Sequence, residues 1–270
     1  MQPSIPGPNP VRQDGRSTAR SGESARRQGP APVYGSRGTS GSPSVPAAEV
    51  ARFDALAGQW WDPYGPMRPL HLMNPVRLGW IIRRIGRDAR VLDVGCGAGL
   101  LAEALAQRGC EVLGIDAAPE TIAAARVHAA SLPGLRLTYR VAAPEDLLVE
   151  RIKFPVITAL EVIEHVPDPD AFIASLAGLL QPGGKLFLST LNRTARSFLL
   201  AKIGAEYVLR FLPVGTHDWR QFIKPEELAA MLRRAGMRPA DMTGLVFNPL
   251  TGRWRESRDM TVNYMVAAER

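Results

Sequence analysis

Residues 90–100 read R-V-L-D-V-G-C-G-A-G-L. A short apolar run carries the chain into glycines at 95, 97 and 99, and a helical pattern to about Arg108 follows. A glycine-rich turn between a strand and a helix aims backbone N–H groups at an anion or a closely approaching ligand. The spacing separates cofactor classes. A dinucleotide turn is G-x-G-x-x-G, whose third glycine lets the helix pack close to a pyrophosphate. Here the pattern is G-x-G-x-G, and the place reserved for that third glycine holds Leu100. The turn therefore opens an α/β fold and argues against NAD.

Working outward, E-V-L-G-I-D (111–116) is a second strand ending in Asp116. A carboxylate there can accept hydrogen bonds from both hydroxyls of a ribose, or cap the next helix, 119–130. L-R-L-T-Y-R-V-A (135–142) and F-P-V-I-T-A-L (154–160) are the third and fourth strands. A helix over 170–180 leads through Pro182-Gly183-Gly184 into K-L-F-L-S-T-L. Strands alternating with helices of this length predict a doubly wound, mostly parallel sheet. After a helix at 225–235, apolar segments at 240–247 and 261–268 lack a helix-length spacer, so the last strand of seven runs antiparallel. Upstream, 49–61 is helical, with Phe53, Leu56, Ala57 and Trp60 on one stripe. Pro63 to Pro69 breaks it, and a second helix runs from Asn74 to Ile85 with Pro75 at its first position. The expected divisions are a tail (1–46), a helical cap (47–88) and the α/β domain (89–270), which carries a long insertion at 192–224.

The chain has 270 residues, a formal net charge of +7 and two cysteines. Cys96 and Cys110 offer no disulfide framework, which suits a reducing compartment. No run of about 18 apolar residues suggests a membrane-spanning helix. The basic charge permits anionic partners. Part of it lies in the tail, where six arginines face only Asp14 and Glu23. That tail is crowded with Pro, Gly and Ser and cannot repay its ordering entropy, so it is expected to be disordered and dispensable. Its Arg- and Ser-rich character also matches a transit peptide, although Pro and Gly oppose the required amphipathic helix.

The stretch E-V-I-E-H-V-P-D-P (161–169) follows the fourth strand. On a helical turn Glu161, Glu164 and His165 share one face. They are candidates for metal ligands, for a proton acceptor, or for the polar start of a helix, a role that also suits Asp168 and Asp170. Ligands in open α/β sheets bind outside the carboxyl ends of strands, which favours function.

D-V-G-C-G-A-G, G-I-D and P-G-G together resemble the class I S-adenosylmethionine-dependent methyltransferases. Longer stretches narrow this: W-W-D-P, P-L-H-L-M-N-P-V-R-L-G-W-I, L-E-V-I-E-H-V-P-D-P, S-T-L-N-R-T, G-A-E-Y-V-L-R-F-L-P-V-G-T-H-D-W, F-N-P-L and V-N-Y-M. From Glu49 to the end the chain resembles the ubiquinone-biosynthesis O-methyltransferases of the UbiG type. The resemblance implies O-methylation of polyprenylated phenols, namely 2-polyprenyl-6-hydroxyphenol and 3-demethylubiquinol, with S-adenosyl-L-methionine as donor. It assigns cofactor binding to Arg77, Gly95, Asp116 and Leu160, with Arg77 facing the methionine carboxylate. Some relatives carry Met in place of Leu160. It places a divalent ion, Mg²⁺ or Zn²⁺, on Glu161, Glu164 and His165, and the alternative is His165 acting unaided as general base. The insertion carries apolar residues at helical spacing (Leu199, Ile203, Tyr207, Phe211) beside Arg196, Lys202 and Arg210. It reads as a lid or as a surface for anionic lipid, and His217 and Asp218 within it shape the pocket. The implied setting is the inner face of the cytoplasmic membrane, or the matrix side of a mitochondrion if the tail is a transit peptide. Other ubiquinone-biosynthesis enzymes are expected partners, and nucleic acid is not. Methylation of another small molecule, RNA or protein is the alternative, with a non-catalytic cofactor- or lipid-binding scaffold as the reading from a different class.

Overall fold

The strand that enters the glycine turn, β1 (Arg90–Val94), lies at the middle of an eight-stranded sheet. The other strands are β2 (Glu111–Asp116), β3 (Leu137–Val141), β4 (Phe154–Leu160), β5 (Leu180–Leu191), β6 (Arg238–Asn248), β7 (Arg253–Ser257) and β8 (Asn263–Glu269). The computed structural model describes residues 45–86, 88–197 and 221–270. Strand order is β3-β2-β1-β4-β5-β8-β6-β7. β1 to β5 run parallel, β8 is antiparallel to both β5 and β6, and β7 is antiparallel to β6. The order reverses between β1 and β4, which opens a crevice at their carboxyl ends.

Seven helices flank the sheet: α1 (Ala47–Asp54), α2 (Arg68–Ile82), α3 (Leu100–Gln107), α4 (Pro119–Ala130), α5 (Pro144–Val149), α6 (Pro169–Leu179) and α7 (Pro225–Arg234), counted among the described residues. Sequence sets their starts. Asp168 caps α6 by accepting from Ala171 N at 3.0 Å, and Pro169 supplies the preset φ of the first turn. In α7 Glu227 reaches back to Lys224 N at 3.0 Å, and in α5 Asp146 reaches back to Ala143 N at 2.8 Å. One face of the sheet is covered by Leu147, Phe172, Ile173, Leu176, Leu228 and Leu232 from α5, α6 and α7. The other is covered by Trp80, Ile81, Leu101, Leu105 and Ile122 from α2, α3 and α4. Fully burying such side chains stabilises by about 1.5–3 kcal/mol each. Two covered faces explain why the central strands read as near-continuous apolar runs.

The structure departs from the sequence reading in several places. The sheet has eight strands, not seven. The extra one, R-W-R-E-S, is an edge strand with three charged residues in five, so no apolar run marks it. The first helix ends at Asp54 and a 3-10 turn, Ala57–Gln59, follows. α2 starts six residues earlier than expected, because Pro69 takes the first turn and leaves Pro75 inside the helix. β5 begins at Leu180 and carries Pro182-Gly183-Gly184 within it, across a register shift between Phe154 and Val156 on β4. The tail up to residue 44 and the heart of the insertion, 198–220 with His217 and Asp218, lie outside the described residues.

Candidate active site

Beneath α1, at the carboxyl ends of β1, β2 and β4, lies a cavity of about 500 Å³. It is lined by Arg77, Gly95, Asp116, Leu160, Glu161, Glu164 and His165, so the residues expected to bind cofactor or metal all reach one chamber.

The glycine turn forms its floor. Gly95 has φ of 65° and Gly97 has φ of 55°, a region costly for residues with a Cβ. Space is closed as well: a Cβ on Gly97 would stand 2.1 Å from Trp60 Cζ2, and one on Gly95 2.4 Å from Val162 Cγ2. Asp116 accepts from Gly97 N at 2.9 Å and from Ala118 N at 3.0 Å. It thereby ties the end of β2 to the glycine turn. Burial raises its carboxyl, against the pull of those amides.

β4 ends in Leu160, and the next residue, Glu161, takes φ of 56°. A left-handed non-glycine costs on the order of 1 kcal/mol and persists where surrounding contacts enforce it. Those contacts are visible. Glu161 N donates to Ser189 O, and its Oε1 accepts from Ser189 Oγ at 2.8 Å, from Asn263 Nδ2 at 3.1 Å and from Arg77. Burial alone would raise the Glu161 carboxyl, but the Arg77 charge and these donors outweigh it and hold it below the usual range. Glu164 lies within hydrogen-bond reach of Glu161 and accepts from Thr190 Oγ1 at 3.0 Å. Its Oε1 is buried without a partner. Burial, then the Glu161 charge, push its carboxyl well up. Buried Glu164 and half-buried Glu161 lie so close together that ionisation of both is disfavoured, so a proton or a cation belongs between them.

His165 closes the same 3-10 turn, Ile163–His165. Its Nδ1 lies 3.2 Å from Glu49 Oε2 on α1. Among the described residues no group of three or more His, Cys, Asp or Glu is placed to hold a metal ion. Sequence reasoning missed three contributors. Asp93 was inside the quoted D-V-G motif; its Oδ1 accepts from Thr158 Oγ1 at 2.6 Å, while Oδ2 is buried and unpartnered. Ser189 and Asn263 lay inside the quoted S-T-L-N-R-T and V-N-Y-M stretches, but only the fold brings them, and Glu49, to the site.

The chain matches the methyltransferase-domain family model over residues 57–240. It is 48% identical over 246 residues to the ubiquinone biosynthesis O-methyltransferase of Dinoroseobacter shibae, spanning 86% of this chain and 99% of that protein. The like-named protein of Xanthomonas axonopodis pv. citri is 51% identical over 223 residues, 82% of this chain and 93% of that one. The chain belongs to the ubiquinone biosynthesis O-methyltransferase family. Among solved structures, the magnesium protoporphyrin IX methyltransferase of Synechocystis with bound SAH shares its fold, with a TM-score of 0.59 at 21% identity over 83% of this chain and 94% of that one.

In this methyltransferase the N-terminal cap grips the glycine turn from outside. Trp61 Nε1 donates to Ala98 O at 3.0 Å and Asn74 Nδ2 to Leu100 O at 2.7 Å. The Trp61 ring stacks on His128 of α4 at 3.4 Å and 3°. His128 Nδ1 meets Glu103 of α3 at 2.8 Å. The W-W-D-P stretch thus joins both helices that flank the turn.

Proposed function

We propose that the protein methylates phenolic hydroxyls of polyprenylated ubiquinone precursors, 2-polyprenyl-6-hydroxyphenol and 3-demethylubiquinol, with S-adenosyl-L-methionine as donor. The observation that carries this reading is the meeting of the G-x-G-x-G turn, Asp116 and the Glu161–Glu164–His165 turn in one cavity. The donor's sulfonium supplies an electrophilic methyl group for in-line displacement by the phenol oxygen, so the chain mainly aligns the two. The residues present fit that donor. Asp93 Oδ2, buried and unpartnered against the cavity, offers a counter-charge to a cationic ligand. Asp116 would take the ribose hydroxyls, Leu160 the adenine face, and Arg77 the carboxylate, a pairing it would share with Glu161.

An unperturbed phenol titrates near pH 10, by analogy with tyrosine. His165 is the group assigned to take its proton, a contribution of about 10²–10⁴-fold. A second reading has a specific support: the orphaned Glu164 Oε1 beside a like-charged neighbour. There Glu161, Glu164 and His165 would have to draw together to hold a divalent ion, Mg²⁺ by its preference for oxygen or Zn²⁺ by its tolerance of imidazole. Such an ion would lower the phenol's pKa as a Lewis acid.

Peripheral contact with anionic lipid at the inner face of the membrane, or on the matrix side of a mitochondrion, belongs to the same proposal. So does association with other enzymes of the pathway. The support within the described residues is the β6–β7 hairpin. Its tip residue Leu250 is 95% exposed, and Arg253 and Arg255 are exposed without an ion pair among the described residues.

The deciding experiment incubates the protein with labelled S-adenosylmethionine and a short-tailed demethylubiquinol, with chelator and after adding back Mg²⁺ or Zn²⁺. Methylation is expected. None under any condition would reject the substrate class, and turnover indifferent to thorough chelation would reject the metal reading.

A further inference from the structure

His165 is held from outside its own turn. Besides the 3.2 Å approach of Nδ1 to Glu49 Oε2, its ring stands edge-on to Phe53, with centroids 5.7 Å apart and planes at 88°. Glu49 and Phe53 are four residues apart on α1, so one face of that helix presents both. Glu49 Oε2 is buried and has no hydrogen bond. Its other oxygen is already engaged by Arg52 Nη1 at 3.1 Å. The imidazole is the group placed to satisfy it.

α1 is in turn pinned to the cofactor half of the cavity. Asp54 Oδ1 accepts from Glu120 N at 3.0 Å and from Thr121 N at 3.1 Å, capping α4 just beyond Asp116. The helix that carries the clamp is therefore indexed to the strand end that carries Asp116, and its residues also roof the cavity.

We propose that Glu49 is a positioning residue for His165. Its carboxylate takes the Nδ1–H, which fixes the tautomer whose lone pair is on Nε2, while Phe53 sets the plane of the ring. An imidazole ordinarily needs such a partner to choose its tautomer. The contact is off-line for a hydrogen bond here, and such contacts tighten when ligand fills the site. When Nε2 takes the phenol proton, Nδ1 keeps its own, and the imidazolium so formed faces the Glu49 charge. The inference rests on the assignment of His165 to the phenol's proton or to an ion, but only for its effect on rate.

The test uses the full chain with Glu49→Ala, Glu49→Asp and His165→Ala. Nitrogen-15 imidazole spectra report the His165 tautomer directly, and the chain's four histidines make assignment by His165→Ala simple. The wild type is expected to show the Nδ1–H form, and Glu49→Ala a shift toward Nε2–H. Turnover should fall roughly 10–100-fold in Glu49→Ala, with S-adenosylmethionine affinity by calorimetry within twofold of wild type. Glu49→Asp should restore part of the rate. An unchanged tautomer in Glu49→Ala overturns the proposal, and so does unchanged turnover in that variant while His165→Ala is inactive. If His165→Ala turns over normally, it is the assignment of His165 that fails, and the spectra still decide whether Glu49 orients the ring.

Discussion

Asp93 carries a carboxylate oxygen, Oδ2, that has no hydrogen-bond partner among the described residues. Burial, only partly offset by Thr158, moves its pKa from 3.8 to about 7. The folded chain therefore holds a proton that the unfolded chain has released across that interval. Stability from this group is full below about pH 4, falls as pH rises toward 7 and is level above it. Asp93→Asn is expected to flatten that slope in denaturant titrations at pH 5 and pH 8. A cationic ligand against Oδ2 favours the ionised form, so binding S-adenosylmethionine near pH 7 should release a proton. Calorimetry in buffers of different ionisation enthalpy would show this as a buffer-dependent heat, absent in Asp93→Asn. A second residue-scale prediction concerns Glu164. Glu164→Gln removes the buried member of the carboxyl pair and keeps a donor for Glu161. If the pair shares a proton, fold and turnover should survive within a few-fold; if it holds an ion, turnover should collapse and metal should no longer restore it. Which residues line the cavity was legible where the signal is local, as in Gly95, Asp116 and E-x-x-E-H. Pairings were hidden where a contact spans the chain, as in Arg77–Glu161 and Glu49–His165, because no spacing rule links positions that only the sheet brings together.

At the scale of elements, the glycine turn and the cap form one unit. Gly97→Ala must either displace Trp60 or distort a left-handed backbone. The expected result is a folded protein whose S-adenosylmethionine affinity drops more than tenfold, measured by calorimetry. Trp61→Phe keeps the stacking partner for His128 but loses the bond to Ala98 O, a change of about 1 kcal/mol. Its melting temperature should fall by a few degrees, with a smaller loss of affinity than Gly97→Ala causes. The strand–helix alternation from Arg90 to Leu191 was readable because burial on both faces writes apolar runs into the strands. α5 was not, since six residues give too few turns for a periodicity to register. β7 was missed because an edge strand needs only its one neighbour, and its side chains answer to solvent. Pro75 misled because a proline suits a first turn, and here Pro69 already occupies it.

For the whole molecule, the question is how the proposed substrate, with its apolar prenyl tail, reaches the cavity. None of the helices among the described residues is long and apolar enough to cross a membrane. For the lipid contact proposed above, the β6–β7 hairpin is the candidate surface among the described residues. Phe247 and Leu250 are exposed, Arg253 and Arg255 follow on β7, and Trp254 between them lines the cavity. An apolar tip beside unpaired arginines matches the boundary between acyl chains and anionic headgroups, where each arginine is worth about 1 kcal/mol. The double change Arg253→Glu/Arg255→Glu should therefore cut co-sedimentation with phosphatidylglycerol-containing vesicles by tenfold or more. The wild-type interaction should weaken with salt, because headgroup attraction is screened within a Debye length. Neutral phosphatidylcholine vesicles should bind neither protein well. Turnover of a short-tailed, water-soluble quinol should remain near wild type in the double variant, whereas turnover of a long-tailed quinol in vesicles should fall. Equal loss on both substrates would place the arginines in the service of the cavity, and undiminished vesicle binding would remove the hairpin from the membrane contact and leave that role to the insertion.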